Sequence, residues 1–185
     1  MSILHKLIQS DLGNGFATKN AILETTPYKP EILIIGTFYP PTLFMNANFP
    51  GHRLNQYWSS FMNLFEDEFA TSHQIKPSAI ELCTQKKLTF ADFVLNIFPD
   101  DNNYEYLPSD YVSYEGHTYN LLQNHSTKTD HGLDQLETLG KLTWNTQNII
   151  NYLNQNPQIT SIQLSRNPTG IWDEQWKSIV NRENI

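Results

Sequence analysis

Residues 30–65 read PEILIIGTFYPPTLFMNANFPGHRLNQYWSSFMNLF, and this stretch decides the predicted fold. Its four consecutive apolar residues, 32–35, follow Pro30 and stop at Gly36. A short apolar run between a proline and a glycine is typical of a central parallel strand that is covered on both faces. Open α/β sheets bind ligands just beyond the ends of such strands, so residues 37–54 are the first place to look for chemistry.

Helices are predicted in four other segments, where apolar residues recur at helical spacing. These segments are residues 3–8, 55–69, 146–153 and 172–180. The second of them opens at Asn55 and carries a wide aromatic stripe, which is more typical of a core-facing helix than of a cofactor site.

Three further patterns complete the predicted fold. Residues 88–98 form an apolar run with Asp92 embedded in it, residues 162–164 alternate as a strand does, and residues 111–119 resemble a hairpin turning at Glu115 and Gly116. Strands separated by helices predict an α/β fold, a three-layer α/β/α sandwich with a central, mostly parallel sheet. The chain length of 185 residues predicts a single domain over residues 1–185.

Composition excludes several classes of protein. A net charge of −7 argues against general nucleic-acid binding and leaves room only for a local cationic patch. Cys83 is the only cysteine, so an intrachain disulfide and the cysteine-rich zinc sites are excluded, and no metal is expected. The chain has neither a signal-like start nor an apolar run of membrane-spanning length, so we expect a cytoplasmic protein without a membrane partner.

Two motifs carry a resemblance to a known family. GTFYPP at 36–41 follows the predicted strand, and FPGHRLNQYW at 49–58 opens the aromatic helix. Together they resemble the uracil-DNA glycosylase superfamily, with the nearest likeness to its hypoxanthine-DNA glycosylase branches, and NPTG at 167–170 resembles a late motif of the mismatch-specific branch. Leu54 and Gln56 depart from the pattern of the second motif.

This resemblance implies a DNA glycosylase-like protein that acts in DNA repair. Such an enzyme hydrolyses the N-glycosidic bond of a deaminated base, uracil or hypoxanthine, after flipping the base into a pocket. Here the pocket would lie at the end of the first strand. DNA containing a damaged base would be the partner, and we expect a monomer with no cofactor.

The resemblance also assigns roles to residues of this chain. Base binding falls to Gly36, Thr37, Phe38, Tyr39, Pro40 and Phe49. DNA contacts fall to His52, Arg53 and the NPTG turn formed by Asn167, Pro168, Thr169 and Gly170. Asn55 is the predicted catalytic residue that positions water or substrate.

Asp92 is the second catalytic candidate, and it comes from the sequence pattern itself. A carboxylate within an apolar run needs a partner or a shifted pKa, and functional sites use such perturbations. Structural roles stay open for each candidate. Asn55 can cap its helix, Asp92 can be a turn or cap carboxylate, and residues 167–170 can form an ordinary turn.

A second hypothesis follows from two departures from the family. The loop after the first strand offers Thr37, Phe38 and Tyr39 where several branches carry Asp, Asn or Glu, and the late family motif can lie beyond the end of the chain. A noncatalytic or truncated member would bind a base, nucleotide or nucleic acid without cleavage. A third hypothesis, a small-molecule hydrolase, lacks support because the sequence has neither a nucleophile elbow nor a glycine-rich phosphate loop.

Overall fold

The computed structural model describes residues 2–38, 83–100, 103–121, 131–165, 167 and 169–181. Within these ranges twelve strands form three sheets. The strands are β1 Ile3–Leu4, β2 Gln9–Gly13, β3 Phe16–Lys19, β4 Ile22–Thr25, β5 Ile32–Gly36, β6 Leu88–Asp92, β7 Val94–Ile97, β8 Tyr104–Leu107, β9 Tyr111–Tyr114, β10 His117–Asn120, β11 Leu142–Trp144 and β12 Ser161–Leu164. The α-helices that lie wholly within the described ranges are α1 His131–Thr138, α2 Thr146–Gln155 and α3 Ile171–Val180, a 3-10 helix covers Pro108–Asp110, and residues 83–86 are also helical.

The largest sheet has six strands in the order β12-β5-β6-β4-β3-β2. Only β12, β5 and β6 are parallel to one another, and the remaining pairs in this sheet are antiparallel. The two other sheets, β1-β7-β11 and β10-β9-β8, have three strands each and are antiparallel throughout.

The predicted α/β/α sandwich with a mostly parallel sheet is therefore wrong. The described residues are mostly β-sheet, and their helices are short. The physical reason lies in residues 9–25, which form an antiparallel meander. Its first turn carries Asn14 and Gly15 at φ 53° and 82°, the left-handed conformation that tight hairpins require and that Asn-Gly adopts readily.

The helix predicted at residues 3–8 is also wrong. Ile3 and Leu4 pair with Ile97 and Asn96 as an antiparallel edge strand, and the Ile8 N–H donates to the His5 carbonyl oxygen in the following turn. A helix of six residues gains too few hydrogen bonds to offset the entropy of its nucleation, so pairing with β7 prevails.

Other predicted elements are confirmed. β5 pairs in parallel with a strand on each side, and the β9–β10 hairpin turns at Glu115 and Gly116, both at positive φ. The predicted strand at 162–164 is β12, and the predicted helix at 172–180 lies within α3. The apolar face predicted for the helix at 146–153 is the buried face of α2.

The core lies on both faces of β5. Leu33 and Ile35 belong to the larger apolar cluster, which also contains the fully buried Trp172, whereas Ile34 belongs to a second cluster with Phe90. This alternation places successive side chains on opposite faces of the sheet and explains why the strand is apolar at every position. Among the described residues, no helix is long and apolar enough to cross a membrane.

Candidate active site

The carboxyl ends of the three parallel strands lie at one edge of the six-stranded sheet. Gly36, which ends β5, is in register with Asp92, which ends β6. On the other side of β5, Leu164 ends β12 in register with Ile35. Parallel neighbours bring their carboxyl ends together, and this edge is where open sheets with parallel strands bind ligands.

A histidine contacts the Asp92 carboxylate at this edge. Nε2 of His5, which directly follows β1, lies 2.6 Å from Oδ2 of Asp92, which ends β6 in a different sheet. The His5 side chain is 1% exposed and the Asp92 side chain 23% exposed. The histidine is therefore the buried member of the pair, and the carboxylate is the member that solvent reaches.

A hydrogen bond at the other ring nitrogen of His5 indicates which nitrogen carries the proton. Nδ1 accepts a hydrogen bond from the Leu7 N–H at 3.0 Å, so it presents a lone pair. In a neutral imidazole the proton then lies on Nε2, which donates it to Asp92. The Phe38 ring packs edge-on against the imidazole, with 5.6 Å between ring centroids, and limits rotation of the histidine.

Gly36 provides the space that Asp92 occupies. A Cβ atom at residue 36 would lie 2.1 Å from Oδ1 of Asp92, far inside van der Waals contact. Oδ2 of the same carboxylate is held by His5, so the group cannot turn away without losing that hydrogen bond. The glycine that ends the predicted strand is thus required by the side chain of the neighbouring strand.

The turn that carries His5 also carries a partly buried lysine. Burial lowers the pKa of Lys6, and the negative charge of Asp110 opposes this shift. Asp110 is itself buried and accepts a hydrogen bond from the Tyr106 hydroxyl at 2.5 Å. The turn is thereby flanked by two carboxylates that are distant in sequence, Asp92 and Asp110.

The arrangement can perform general base chemistry. In a Ser-His-Asp triad the aspartate is buried and orients a histidine that reacts. Here the order of exposure is reversed, because the histidine is buried and the carboxylate meets solvent. Asp92 is therefore the group placed to accept a proton from water or substrate, and His5 is the group that orients it.

Three of the predicted base-binding residues lie at the end of β5 or directly after it, and they are Gly36, Thr37 and Phe38. The carbonyl oxygens of Gly36 and Thr37 accept hydrogen bonds from the Phe93 and Val94 N–H groups, both at 3.0 Å. Phe38 is 7% exposed and belongs to the larger core cluster. Their role in binding a base stays a prediction.

Several predicted residues lie outside the described residues. They are Asn55, Tyr39, Pro40, Phe49, His52, Arg53 and Pro168. Catalysis by Asn55, stacking by Tyr39 or Phe49, and phosphate contacts by His52 and Arg53 therefore stay predictions.

The described part of the NPTG segment forms a turn between β12 and α3. The Thr169 N–H donates to the Asn167 carbonyl oxygen at 3.0 Å, and Gly170 is the N-cap residue of α3 with φ 60°. Asn167, Thr169 and Gly170 are exposed. Since β12 is parallel to β5, this turn leaves the sheet at the same edge as Asp92.

Sequence reasoning identifies Asp92 and misses its partner. His5 lies in no motif, and its partner is 87 residues away. The sequence signal that argues against a helix around His5 is the Asn-Gly pair at residues 14–15. This pair predicts a hairpin, and a strand and a turn at residues 3–8 are compatible with such a hairpin. In the described residues no group of three or more His, Cys, Asp or Glu side chains could hold a metal ion.

Comparisons with models of protein families, with curated proteins and with solved structures find no match to this chain.

Proposed function

We propose that this protein hydrolyses the N-glycosidic bond of a deaminated base, uracil or hypoxanthine, in DNA. The observation that carries the proposal is the partly exposed Asp92 carboxylate, which the buried His5 holds at the edge where the parallel strands end. A carboxylate fixed in this way is suited to activate water.

In the proposed reaction, Asp92 acts as the general base. The water oxygen attacks C1′ of the sugar while Asp92 accepts the proton that the water loses. The bond between C1′ and the base nitrogen breaks, its electron pair leaves with the base, and solvent then protonates the departing base. A positioned general base contributes about 10²–10⁴-fold to a rate, which sets the scale of the loss expected without the carboxylate.

Recognition of DNA is the part of the proposal that rests on the sequence resemblance. The chain does not form the predicted sandwich, so the support comes from the motifs at 36–41 and 49–58 rather than from the fold. The exposed residues Asn167, Thr169 and Gly170 follow β12 at the same sheet edge as Asp92, and their segment is the proposed contact to the DNA strand. A cytoplasmic location and a monomeric state belong to the same proposal.

A binding protein without cleavage is the second candidate. It is favoured by the loop after β5, where Thr37, Phe38 and Tyr39 supply no carboxylate or amide, and by the net charge of −7. Such a protein would hold a base, nucleotide or nucleic acid at the same edge and would leave the glycosidic bond intact.

Oligonucleotides that contain uracil, hypoxanthine or xanthine separate the two candidates. Strand cleavage after alkali treatment measures base excision, and fluorescence anisotropy of the same labelled oligonucleotides measures binding. The test uses the wild type, Asp92→Asn, and Asp100→Asn as the matched control, since Asp100 is an exposed carboxylate on the same segment. Excision by the wild type and the control but not by Asp92→Asn supports the proposal. Binding without excision by the wild type overturns it in favour of the second candidate, and the absence of both overturns both.

A further inference from the structure

Asn145 stands at the N-cap position of α2 but does not cap the helix. Its side chain makes no capping hydrogen bond, and its backbone has φ −97° and ψ 0°. Asparagine is among the best N-cap residues, because its side-chain oxygen accepts hydrogen bonds from N–H groups of the first turn. At Asn145 this local stabilisation is absent, while the residue is fully buried, at 0% exposure.

The amide group of Asn145 joins two distant parts of the chain. Nδ2 donates to the Asn20 carbonyl oxygen at 2.7 Å and to the Asp92 carbonyl oxygen at 2.9 Å. These two carbonyl oxygens can only accept, so they fix the orientation of the amide, and Oδ1 on its other side accepts a hydrogen bond from Nδ2 of Asn148 at 2.9 Å. Both side-chain donor hydrogens are thus used on main-chain carbonyls, in a buried place where leaving them unpaired would be costly.

The segment that Asn145 joins to Asp92 is the turn between β3 and β4. Asn20 and Ala21 adopt φ 51° and 54°, and the left-handed conformation is strained for alanine. The Asp92 N–H donates to the Ala21 carbonyl oxygen at 3.3 Å. The Asp92 main chain is therefore held at its N–H by the turn and at its carbonyl by Asn145. Strained backbone of this kind persists where surrounding contacts hold it in place, often at functional sites.

We infer that Asn145 is a positioning residue for the Asp92 carboxylate, a role that rests on the proposed function of Asp92. His5 hydrogen-bonds to one carboxylate oxygen, but the position of the Asp92 main chain sets the position from which the side chain extends. Without the Nδ2 donor, the peptide between Asp92 and Phe93 keeps only the hydrogen bond from its N–H to the Gly36 carbonyl oxygen, so we expect the Asp92 carbonyl to shift and Oδ2 to move relative to Nε2 of His5. A displacement of about 1 Å in a reacting group can lower a rate by about 10²-fold, so the anchoring of this peptide affects the chemistry directly.

The principal test variant is Asn145→Asp. It keeps the shape of the side chain but replaces the Nδ2 donor by an acceptor that faces the carbonyl oxygens of Asn20 and Asp92. Asn148→Ala is the matched control, because it removes the partner of Oδ1 and leaves both Nδ2 hydrogen bonds in place. Asn145→Ser is a smaller second variant that also lacks the amide donor.

Two readouts are measured for each variant. The first is kcat and KM for excision of the base that the wild type cleaves. The second is the His5 ring signal in nitrogen-15 NMR, which reports the proton on Nε2 and its exchange with water, and which needs no substrate. The second readout also separates failure of this inference from failure of the proposed function, because it decides the role of Asn145 even if the wild type excises no base.

The expected result is a fall in kcat of about 10²-fold in Asn145→Asp with an unchanged KM. Exchange of the His5 Nε2 proton becomes faster in Asn145→Asp and Asn145→Ser, whereas Asn148→Ala behaves as the wild type. Wild-type proton exchange in both Asn145 variants would overturn the inference. Loss of the fold in both variants, with Asn148→Ala folded, would overturn it as well, since Asn145 would then be a structural residue.

Discussion

Nε2 of His5 lies 2.6 Å from Oδ2 of Asp92, across 87 residues of sequence. His5 follows β1 at the edge of one sheet, and Asp92 ends β6 inside another. The pair therefore forms only when the segment that follows β1 packs against the end of β6. The contact between the two side chains is thus a product of tertiary structure, and no local sequence motif indicates it.

His5→Gln tests whether the histidine orients Asp92. Glutamine lacks the rigid ring that the Leu7 N–H and Phe38 hold in place, so its flexible amide no longer fixes a donor on Oδ2, and the carboxylate itself remains. We expect excision to slow by about 10²-fold, because the carboxylate becomes free to leave its reactive position. Single-turnover excision rates provide the measurement, with His117→Gln, at an exposed histidine of β10, as the control. An unchanged rate in His5→Gln would show that a rigid imidazole beside Asp92 is not needed for excision.

Gly36→Ala tests the close approach between β5 and the Asp92 side chain. The added Cβ would lie 2.1 Å from Oδ1, so either the strand or the carboxylate must move. We expect a loss of about 1–3 kcal/mol in the free energy of unfolding, typical of overpacking, together with loss of excision. Urea unfolding measures the stability.

The double variant Gly36→Ala with Asp92→Ala is the control for this change. It removes the group that the new Cβ would strike, so the two substitutions should cost less together than the sum of their separate costs. Additive costs would mean that the glycine is needed for a different reason.

Alkaline pH should destabilise the fold, because a cysteine thiol and two tyrosine hydroxyls are buried in their protonated forms. Burial raises the pKa of the Cys83 thiol from 9.0 to about 12 and also raises the pKa values of Tyr28 and Tyr152. In the unfolded chain these groups lose their protons first, so the unfolded state binds fewer protons and stability falls as the pH rises. For Cys83 the loss begins near its unfolded pKa of 9.0 and continues toward its folded pKa of about 12.

Urea unfolding across this alkaline range measures the effect. Cys83→Ala removes one of the groups, so its stability should fall less steeply with pH than that of the wild type. Equal slopes for the two proteins would contradict the buried, protonated state of Cys83.

Glu115→Asn should stabilise the β9–β10 hairpin. Glu115 has φ 49°, and asparagine tolerates this left-handed conformation better than glutamate does. We expect a gain of about 0.5–1 kcal/mol in the free energy of unfolding, because an asparagine directly before Gly116 would form the preferred two-residue turn.

The matched control for the hairpin is Glu105→Asn. Glu105 is an exposed residue within β8, where asparagine is a poor strand former and no gain is expected. A stability gain of equal size in both variants would show that the turn conformation is not its cause.

Strong local patterns predict much of the secondary structure correctly. The apolar run at 32–35 indicates β5, and the spacing of Thr146, Ile149, Ile150 and Leu153 indicates the buried face of α2. Glu115 and Gly116 mark the hairpin turn. Each of these elements can be predicted from its own segment. Either the spacing of the apolar residues or the identity of the turn residues defines the element.

The arrangement of the sheets could not be predicted in the same way. The run at 32–35 indicates a strand covered on both faces, but it does not say whether the flanking strands beyond its parallel neighbours are antiparallel. In this protein β6 pairs with β4 through a single register contact, Ile22 with Ala91, and that contact joins the parallel strands to the meander. Pairing over such sequence distances depends on tertiary packing.

In the candidate site, too, the sequence indicates a feature of one segment but not the contacts between distant segments. Asp92 can be recognised because a carboxylate within an apolar run is unusual, and its own segment contains that information. His5 and Asn145 reach it from 87 and 53 residues away, and nothing in their own segments indicates this partner. The sequence therefore predicts the reacting group of the proposed site, while the groups that orient it are seen only in the folded chain.

The most direct test of the proposed chemistry is the single-turnover rate of base excision by Asp92→Asn, measured on the uracil- and hypoxanthine-containing oligonucleotides beside the wild type and Asp100→Asn. Asparagine keeps the shape of the side chain but is not a general base. The account predicts a rate about 10²–10⁴-fold below the wild type for Asp92→Asn and an unchanged rate for Asp100→Asn. A wild-type rate in Asp92→Asn would contradict the assignment of Asp92 as the catalytic base.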